Sequence, residues 1–261
     1  MAATTDEVVV SHDARVLTIT INRPQRRNAL NGELCLAIEQ ALRADSAVAA
    51  VILTGAGSAF CAGADLVTRF GAGSDDGPAT DTFRPSFEVL LDAIADHRAP
   101  VIAAMNGPAM GAGLQLAIAC DLRIATPTAK MAIPGGKLGV LLSPTNVWRL
   151  AMLVGHGLAR DILLTGREFD GTEALGVGLV QRLAIDPQTA AAELARHVSG
   201  LAPLTVQGHK RVLNLVAASM GLSADSRVEA SALEVEAFAS EDIVEGTAAF
   251  AEKRTPNFKG K

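Results

Sequence analysis

Residues Asn106–Asp121 read NGPAMGAGLQLAIACD. They follow Val101–Met105 (VIAAM), a short apolar run that predicts a buried strand. A turn of small residues comes next, and then an apolar stretch long enough for a helix. The first amides of a helix have no partner inside it, and the helix dipole places roughly half a positive charge there. Small residues let a ligand approach that backbone closely.

Upstream, the same order recurs. Ser58–Leu66 (SAFCAGADL) follows the strand Val51–Thr54 (VILT), which ends at Gly55. Two such helix N-termini facing one another offer two amide donors to one oxygen, the arrangement of an oxyanion hole. A second reading of the same residues stays open: Gly107, Gly111 and Gly113 also permit tight packing of strand on helix. Other ligand-binding turns fail on the residues. Gly111 and Gly113 begin a G-x-G, but Leu116 fills the third glycine position of a dinucleotide fingerprint. The chain has neither a Walker A run nor a G-x-S-x-G nucleophile elbow.

Arg15–Ile21 (RVLTITI) alternates as a half-buried strand does, and Asn22-Arg23-Pro24 breaks it. Asn31 then suits a helix N-cap, with Leu34, Ala37, Ile38, Ala41 and Leu42 as the apolar stripe. Leu122–Ala125 is a further short strand. The recurrence of strand, glycine turn and helix predicts one α/β core wound in successive β-β-α turns, over residues 1–200. Residues 71–85 (GAGSDDGPATDTFRP) have hardly any apolar side chains and read as a mobile loop, in the position of a lid. After about residue 186 the pattern turns helical, through Ala190–Val198, Leu204–Val216 and Arg227–Glu252. Residues 201–261 form a C-terminal helical region. Pattern alone leaves open whether those helices supply an oligomer interface or pack on their own core.

Composition removes several functions. With 23 basic and 28 acidic residues the net charge is −5, so no basic surface is expected for nucleic acid. Aromatics are 3% of the 261 residues, and there is no tyrosine to stack on bases. No apolar run reaches the ~18 residues of a membrane span, and MAATTDEVVV lacks the basic start of a signal peptide. Three cysteines, Cys35, Cys61 and Cys120, are an odd number without metal spacing, and the five histidines show none either. No metal site and a cytoplasmic location are the expectations.

Taken together, the two turns resemble those of the crotonase superfamily, the enoyl-CoA hydratase/isomerase family. The resemblance runs from Asn22-Arg23-Pro24 and Asn28-Ala29-Leu30 through Ala59–Leu66, Pro100–Gly107 and Cys120-Asp121. It continues through Thr165-Gly166 and Gly176–Val180 (GVGLV) to Phe250–Phe258 (FAEKRTPNF). It implies a ββα superhelical core with a C-terminal helical trimerisation region, assembled as a homotrimer or dimer of trimers. It also implies a coenzyme A thioester as ligand, with no permanently bound cofactor. Position by position, the amides that hold the thioester oxygen fall on Ala64 and Ala112, the second usually a glycine in the family. By the same matching, Arg26, Ala29, Leu30, Ala62, Asp65, Leu66 and Gly111 lie along the acyl-CoA. Phe250 and Lys253 match the pair that reaches a neighbouring subunit's coenzyme.

The chain departs from the hydratase pattern at the acids. A hydratase of this family holds a water between two glutamates. The first matches Gln115, whose neutral amide cannot take up a proton at pH 7. The second matches Gly135, which has no side chain. Around it, Pro134, Leu138, Val140, Leu141 and Leu142 predict a roomy apolar wall, suited to a long acyl chain. Ser143 reads as an N-cap before Pro144, His156 as an exposed residue at a helix start, and Cys61 as a small buried residue. Asp65 and Asp121 match positions that are structural in the family, although Asp65 is the nearest stand-in for a lost acid. The GAGLQL turn is similar to a subset of mycobacterial paralogues that also lack both acids. That similarity implies binding of fatty acyl-CoA or enoyl-CoA in lipid metabolism without efficient hydration. A separate reading is a structural or regulatory subunit that recruits lipid-synthesis enzymes, with the loop 71–85 as the contact surface. The alternative is a working hydratase or isomerase of low rate that uses a substitute acid or base.

Overall fold

In the computed structural model the described residues are 6–45, 47–65, 82–221 and 223–260. Period-two alternation organises the sheet. Its strands are β1 (Val8–Asp13), β2 (Val16–Ile21), β3 (Ala50–Gly55), β4 (Val101–Met105), β6 (Leu122–Ala125) and β8 (Arg182–Leu183), in the spatial order β1-β2-β3-β4-β6-β8. The β1–β2 pair is antiparallel and every later pairing is parallel. The sequence reading found β2, β3, β4 and β6 within a residue at either end, and missed β1 and the two-residue β8.

Ten helices follow in chain order among the described residues. They are α1 (Gly32–Ala44), α2 (Phe83–Asp96), α3 (Ala112–Ala119), α4 (Gly135–Leu138) and α5 (Pro144–Thr165). Then come α6 (Gly171–Gly176), α7 (Pro187–Ser199), α8 (Pro203–Ser219), α9 (Ala224–Ala239) and α10 (Glu241–Glu252). Asn31 caps α1 as expected, its side chain accepting from Leu34 N. Gly155 (φ 76°) kinks α5, so the exposed His156 does begin a helical stretch. The predicted helix Arg227–Glu252 is two helices, because Ser240 is extended (ψ 156°) between α9 and α10.

Both faces of the sheet are buried. Leu17, Ile19, Val51, Leu53, Val101 and Met105 face the main core, against α1, α2 and α3. The alternate residues Val16, Ala50, Ile52, Ile102, Ala104 and Ile124 pack under Ala191, Leu194 and Ala195 of α7. A second, minimal sheet runs beside the first: β5 (Ala109–Met110) pairs in parallel with β7 (Met131–Ala132), and single bridges join Leu30 to Ala64, Cys61 to Ala109 and Met131 to Phe169. Each turn of the chain thus adds a strand to one sheet and a bridge to the other, which is the expected ββα spiral.

Two buried cations fix this frame. Arg123, 1% exposed, donates to Leu179 O, Ala117 O, Cys120 O and Gln181 Oε1. It satisfies carbonyls at the C-terminal end of α3, so it anchors the helix whose N-terminus faces the site. Lys210 on α8 reaches Asp121 Oδ2 at 2.7 Å, and Asp121 also accepts from Val101 N. Asp121 is therefore structural, as expected. The C-terminal helices pack on their own core: α8 through Lys210, and α10 against α4, where Gly246 lies on Leu138. The outer side of α8 still leaves Leu204, Val212, Leu213 and Val216 exposed.

Candidate functional site

The two glycine turns interlock by backbone hydrogen bonds. Cys61 N donates to Pro108 O, and Met110 N donates to Cys61 O. Approach is so close that a Cβ on Gly107 would lie 2.1 Å from Ser58 O, and one on Gly113 2.2 Å from Cys61 O. Tight packing is thus the work of these two glycines. Gly111 differs: its backbone is left-handed (φ 53°), and a Cβ there would meet nothing within 4 Å.

That contrast positions the amides. In the Leu30–Ala64 bridge, Leu30 N donates to Gly63 O and Asp65 N donates to Leu30 O. A parallel bridge of this pattern turns Ala64's own N–H to the opposite side. Ala112 is the first residue of α3, so its amide has no partner within the helix. The Cβ position of Gly63 lies 3.6 Å from Ala112 N, which puts the peptide next to Ala64 beside the head of α3. Ala64 and Ala112 line one cavity of about 450 Å³.

The N-terminal motif is scaffold for the first turn. Asn28, fully buried at φ 58°, donates through Nδ2 to Ala56 O and Ala59 O. Arg23, 7% exposed, donates to Ala29 O and to Asp65 Oδ2 at 3.2 Å. Arg26 lies 3.5 Å from the other oxygen of Asp65. Asp65 is held by two guanidinium groups as a strut of the turn, a poor position for a stand-in base.

The same cavity gathers most of the sequence-derived residues. Arg26, Ala29, Ala62, Asp65, Gly111 and Gln115 line it near the turns, and Pro134, Gly135, Val140 and Leu141 form another wall. Leu30 lies fully buried in the core and does not line it; its part is the bridge to Ala64. Phe250 lines the cavity of its own protomer, whereas Lys253, exposed at the C-cap of α10, does not. Leu66, and residues 71–81 of the predicted loop, lie outside the described residues. The last residues of that loop need correction: Phe83, Arg84 and Pro85 form the first turn of α2, where Phe83 stacks on Phe87 at 5.2 Å. Burial pushes the Cys61 thiol up to about 12, so it is an inert buried residue. Ser143 occupies the N-cap position of α5, but its hydroxyl makes no cap bond.

Sequence reasoning missed one set of residues altogether. Glu88 from α2, and Glu234 and Phe238 from α9, also line the cavity. Glu234, 3% exposed, pairs with Arg84 at 2.5 Å, and Arg84 lies over the Phe238 ring. Glu88 accepts from Asn146 Nδ2 at 2.9 Å. Burial raises the Glu88 carboxyl above its ordinary range, while Ser143, Arg149 and Arg84 pull it down and Asp92 pushes it up. Burial also raises Glu234, opposed by Arg84 and reinforced by Glu88. The spacing of Phe87, Leu90, Leu91 and Ile94 is the signal that reveals α2. No short motif tells that Glu88, at its edge, faces the site.

Residues 11–261 match the family model described as enoyl-CoA hydratase/isomerase. A Mycobacterium tuberculosis protein named "Probable enoyl-CoA hydratase echA6" is 42% identical over 249 residues, covering 94% of this chain and 96% of its own length. Among solved structures, carnitinyl-CoA hydratase from Mycobacterium avium is 34% identical with a TM-score of 0.82, covering 99% of this chain and all of that one. Methylmalonyl-CoA decarboxylase in complex with 2S-carboxypropyl-CoA has a TM-score of 0.87 over 99% of this chain and all of that one; at 24% identity this is a likeness of fold.

Proposed function

The chain belongs to the enoyl-CoA hydratase/isomerase (crotonase) family, whose members act on CoA thioesters, and from that premise we propose that it binds fatty acyl-CoA without hydrating it efficiently. The thioester oxygen sits between the amides of Ala64 and Ala112. Gln115 and Gly135 stand where a hydratase of the family carries its two glutamates. The observation that carries the reading is that Ala64 and Ala112 share the cavity with a neutral amide, Gln115, and a glycine, Gly135, while the three carboxylates of the described lining, Asp65, Glu88 and Glu234, stand at other positions. An amide side chain can orient a water, but it cannot take its proton at pH 7. Each missing acid or base forfeits roughly 10²–10⁴ in rate.

The wall of Pro134, Leu138, Val140 and Leu142 supports a long acyl chain as the preferred occupant. Arg26 and Arg27 are the described cations of the lining near the first turn, and they suit the polyanionic coenzyme. The exposed apolar side of α8 supports self-association, which in this reading is a homotrimer or a dimer of trimers, and the reading also takes the protein to be cytoplasmic. Among the described residues no helix is long and apolar enough to cross a membrane, and no group of residues is arranged to hold a metal.

Calorimetric titration with a short and a long 2-enoyl-CoA, with enoyl absorbance followed in the same samples, tests the reading. The expected result is micromolar or tighter binding that strengthens with chain length, and absorbance that stays constant over hours. Binding no better than that of free coenzyme A overturns the ligand. Rapid loss of absorbance overturns the absence of hydration.

A further inference from the structure

The described lining holds three carboxylates, and two of them are already engaged by cations. Asp65 is gripped by Arg23 and Arg26, and Glu234 by Arg84. Glu88 is different. Among the described residues it forms no ion pair, and its well-formed hydrogen bond comes from a neutral amide, Asn146.

That amide is itself oriented. Arg149 Nη1 donates to Asn146 Oδ1 at 3.1 Å, and Arg149 Nη2 is tied to Asp92 Oδ1 at 2.8 Å. With its oxygen taken by Arg149, Asn146 must turn its NH₂ group to Glu88. Asn146 is 4% exposed, so the relay is locked in place by packing. The Ser143 hydroxyl, buried and without a hydrogen-bond partner among the described residues, lines the same cavity. Glu88 is therefore positioned by an uncharged donor and forms no ion pair among the described residues, in the cavity that also contains the two thioester-binding amides. A partly buried carboxylate held by a neutral donor, with no ion pair, is placed as an acid–base group is.

We propose that Glu88 is the proton-transfer group of this cavity, acting on acyl thioesters whose double bond lies between C3 and C4. The inference rests on the acyl-CoA reading above. In the first step the Glu88 carboxylate takes a proton from C2. The C2–H electron pair moves toward the thioester, whose oxygen carries the developing charge between the amides of Ala64 and Ala112. In the second step the Glu88 carboxyl returns the proton to C4, and the double bond settles between C2 and C3. Nothing is oxidised or reduced, and no water is added. One acid–base group suffices, and of the three carboxylates in the described lining only Glu88 forms no ion pair among the described residues.

The groups that tune Glu88 come from three helices: Arg84 and Asp92 on α2, Ser143 and Arg149 at the head of α5, and Glu234 on α9. Burial holds Glu88 above the ordinary carboxyl range, so the fraction present as base rises with pH through that raised value.

The test uses a 3-enoyl-CoA in deuterated buffer. Conversion is read from the conjugated 2-enoyl absorbance, exchange from deuterium at C2 and C4, and affinity from calorimetry on the same protein. Wild type is expected to convert and exchange, at a rate that climbs with pH. Glu88→Gln is expected to lose ~10²–10⁴ of the rate with its acyl-CoA affinity kept, and Glu88→Asp to recover part of it. Thioester binding without conversion in wild type overturns the role of Glu88 and leaves the binding reading intact. Full rate in Glu88→Gln, or a wild-type rate indifferent to pH, also overturns it. Absence of thioester binding removes both readings together.

Discussion

One cavity has two kinds of wall. At the glycine turns the backbone does the work: Gly107 and Gly113 bring carbonyls to within 2.2 Å of where a Cβ would sit, and the lining presents peptide groups. At the wall contributed by α2, α5 and α9 the side chains do the work, through Glu88, Ser143, Asn146 and the Arg84–Glu234 pair. At Gly107 and Gly113 the first wall cannot change a residue without moving the chain. The second can change its chemistry one side chain at a time. In the proposed reading, binding is thus built into the fold and reactivity is laid over it.

The largest expected effect breaks the first wall. Gly113→Ala puts a Cβ 2.2 Å from Cys61 O and 2.8 Å from Cys61 Cβ, so the two turns must part. We expect a loss of ~3 kcal/mol or more, a fall in Tm on the order of 10 °C, and no acyl-CoA binding. Gly111→Ala, two residues away, meets open space and bears only the strain of its left-handed backbone, about 1–3 kcal/mol. Thermal melts of the two variants side by side check the distinction. Equal losses would mean that packing does not separate these glycines.

Restoring acids sharpens the comparison at the border between the walls. Gln115→Glu changes one side chain on α3 and is expected to raise hydration of a 2-enoyl-CoA by up to ~10². Gly135→Glu is not equivalent, because its Cβ would lie 2.5 Å from Val140 O. The turn that opens α4 is closed by Val140 N donating to Gly135 O, so a side chain at 135 forces residues 135–140 apart. We expect Gly135→Glu to weaken acyl-CoA binding, and the double variant to hydrate more slowly than Gln115→Glu alone. A double variant faster than the single one would show that the segment shifts at little cost.

The two walls also differ in how much of them can be read from the chain. The spiral core follows from short strands and glycine turns, because each ββα turn is a local unit whose burial pattern lies within a few residues. Ala64, Ala112 and Gln115 were assigned by resemblance, each at a fixed offset inside a contiguous motif, and all three line the cavity. β1 escaped because only Val8 of its six residues is fully buried, so VVVSHD carries little alternation. The start of α2 was taken into the loop because Arg84 and Pro85 interrupt its first turn, although Pro is tolerated there. Glu88 and Glu234 were invisible for a deeper reason. They are 146 residues apart in sequence by their numbers, and only packing of α9 over α2 brings them to one cavity. Ser143 illustrates the same limit: the sequence correctly assigned its position at the head of α5, but not that it lines the same cavity as Glu88.

Ser143 also offers the smallest and most specific test of the second wall. Its hydroxyl favours the ionised Glu88 carboxylate and so opposes the rise caused by burial. Removing it in Ser143→Ala leaves burial less opposed, and the Glu88 carboxyl moves further above its ordinary range. Proton abstraction needs the carboxylate, so the midpoint of the pH–rate profile for 3-enoyl-CoA conversion must move to higher pH. The plateau rate at high pH should change little, because the base is the same once ionised. Stability should hardly respond, since the hydroxyl makes no cap bond to lose. A midpoint that stays in place would mean that Glu88 does not set the profile. A midpoint that moves to lower pH would mean that Ser143 stabilises the protonated form, reversing its assigned role while keeping Glu88 as the group that titrates.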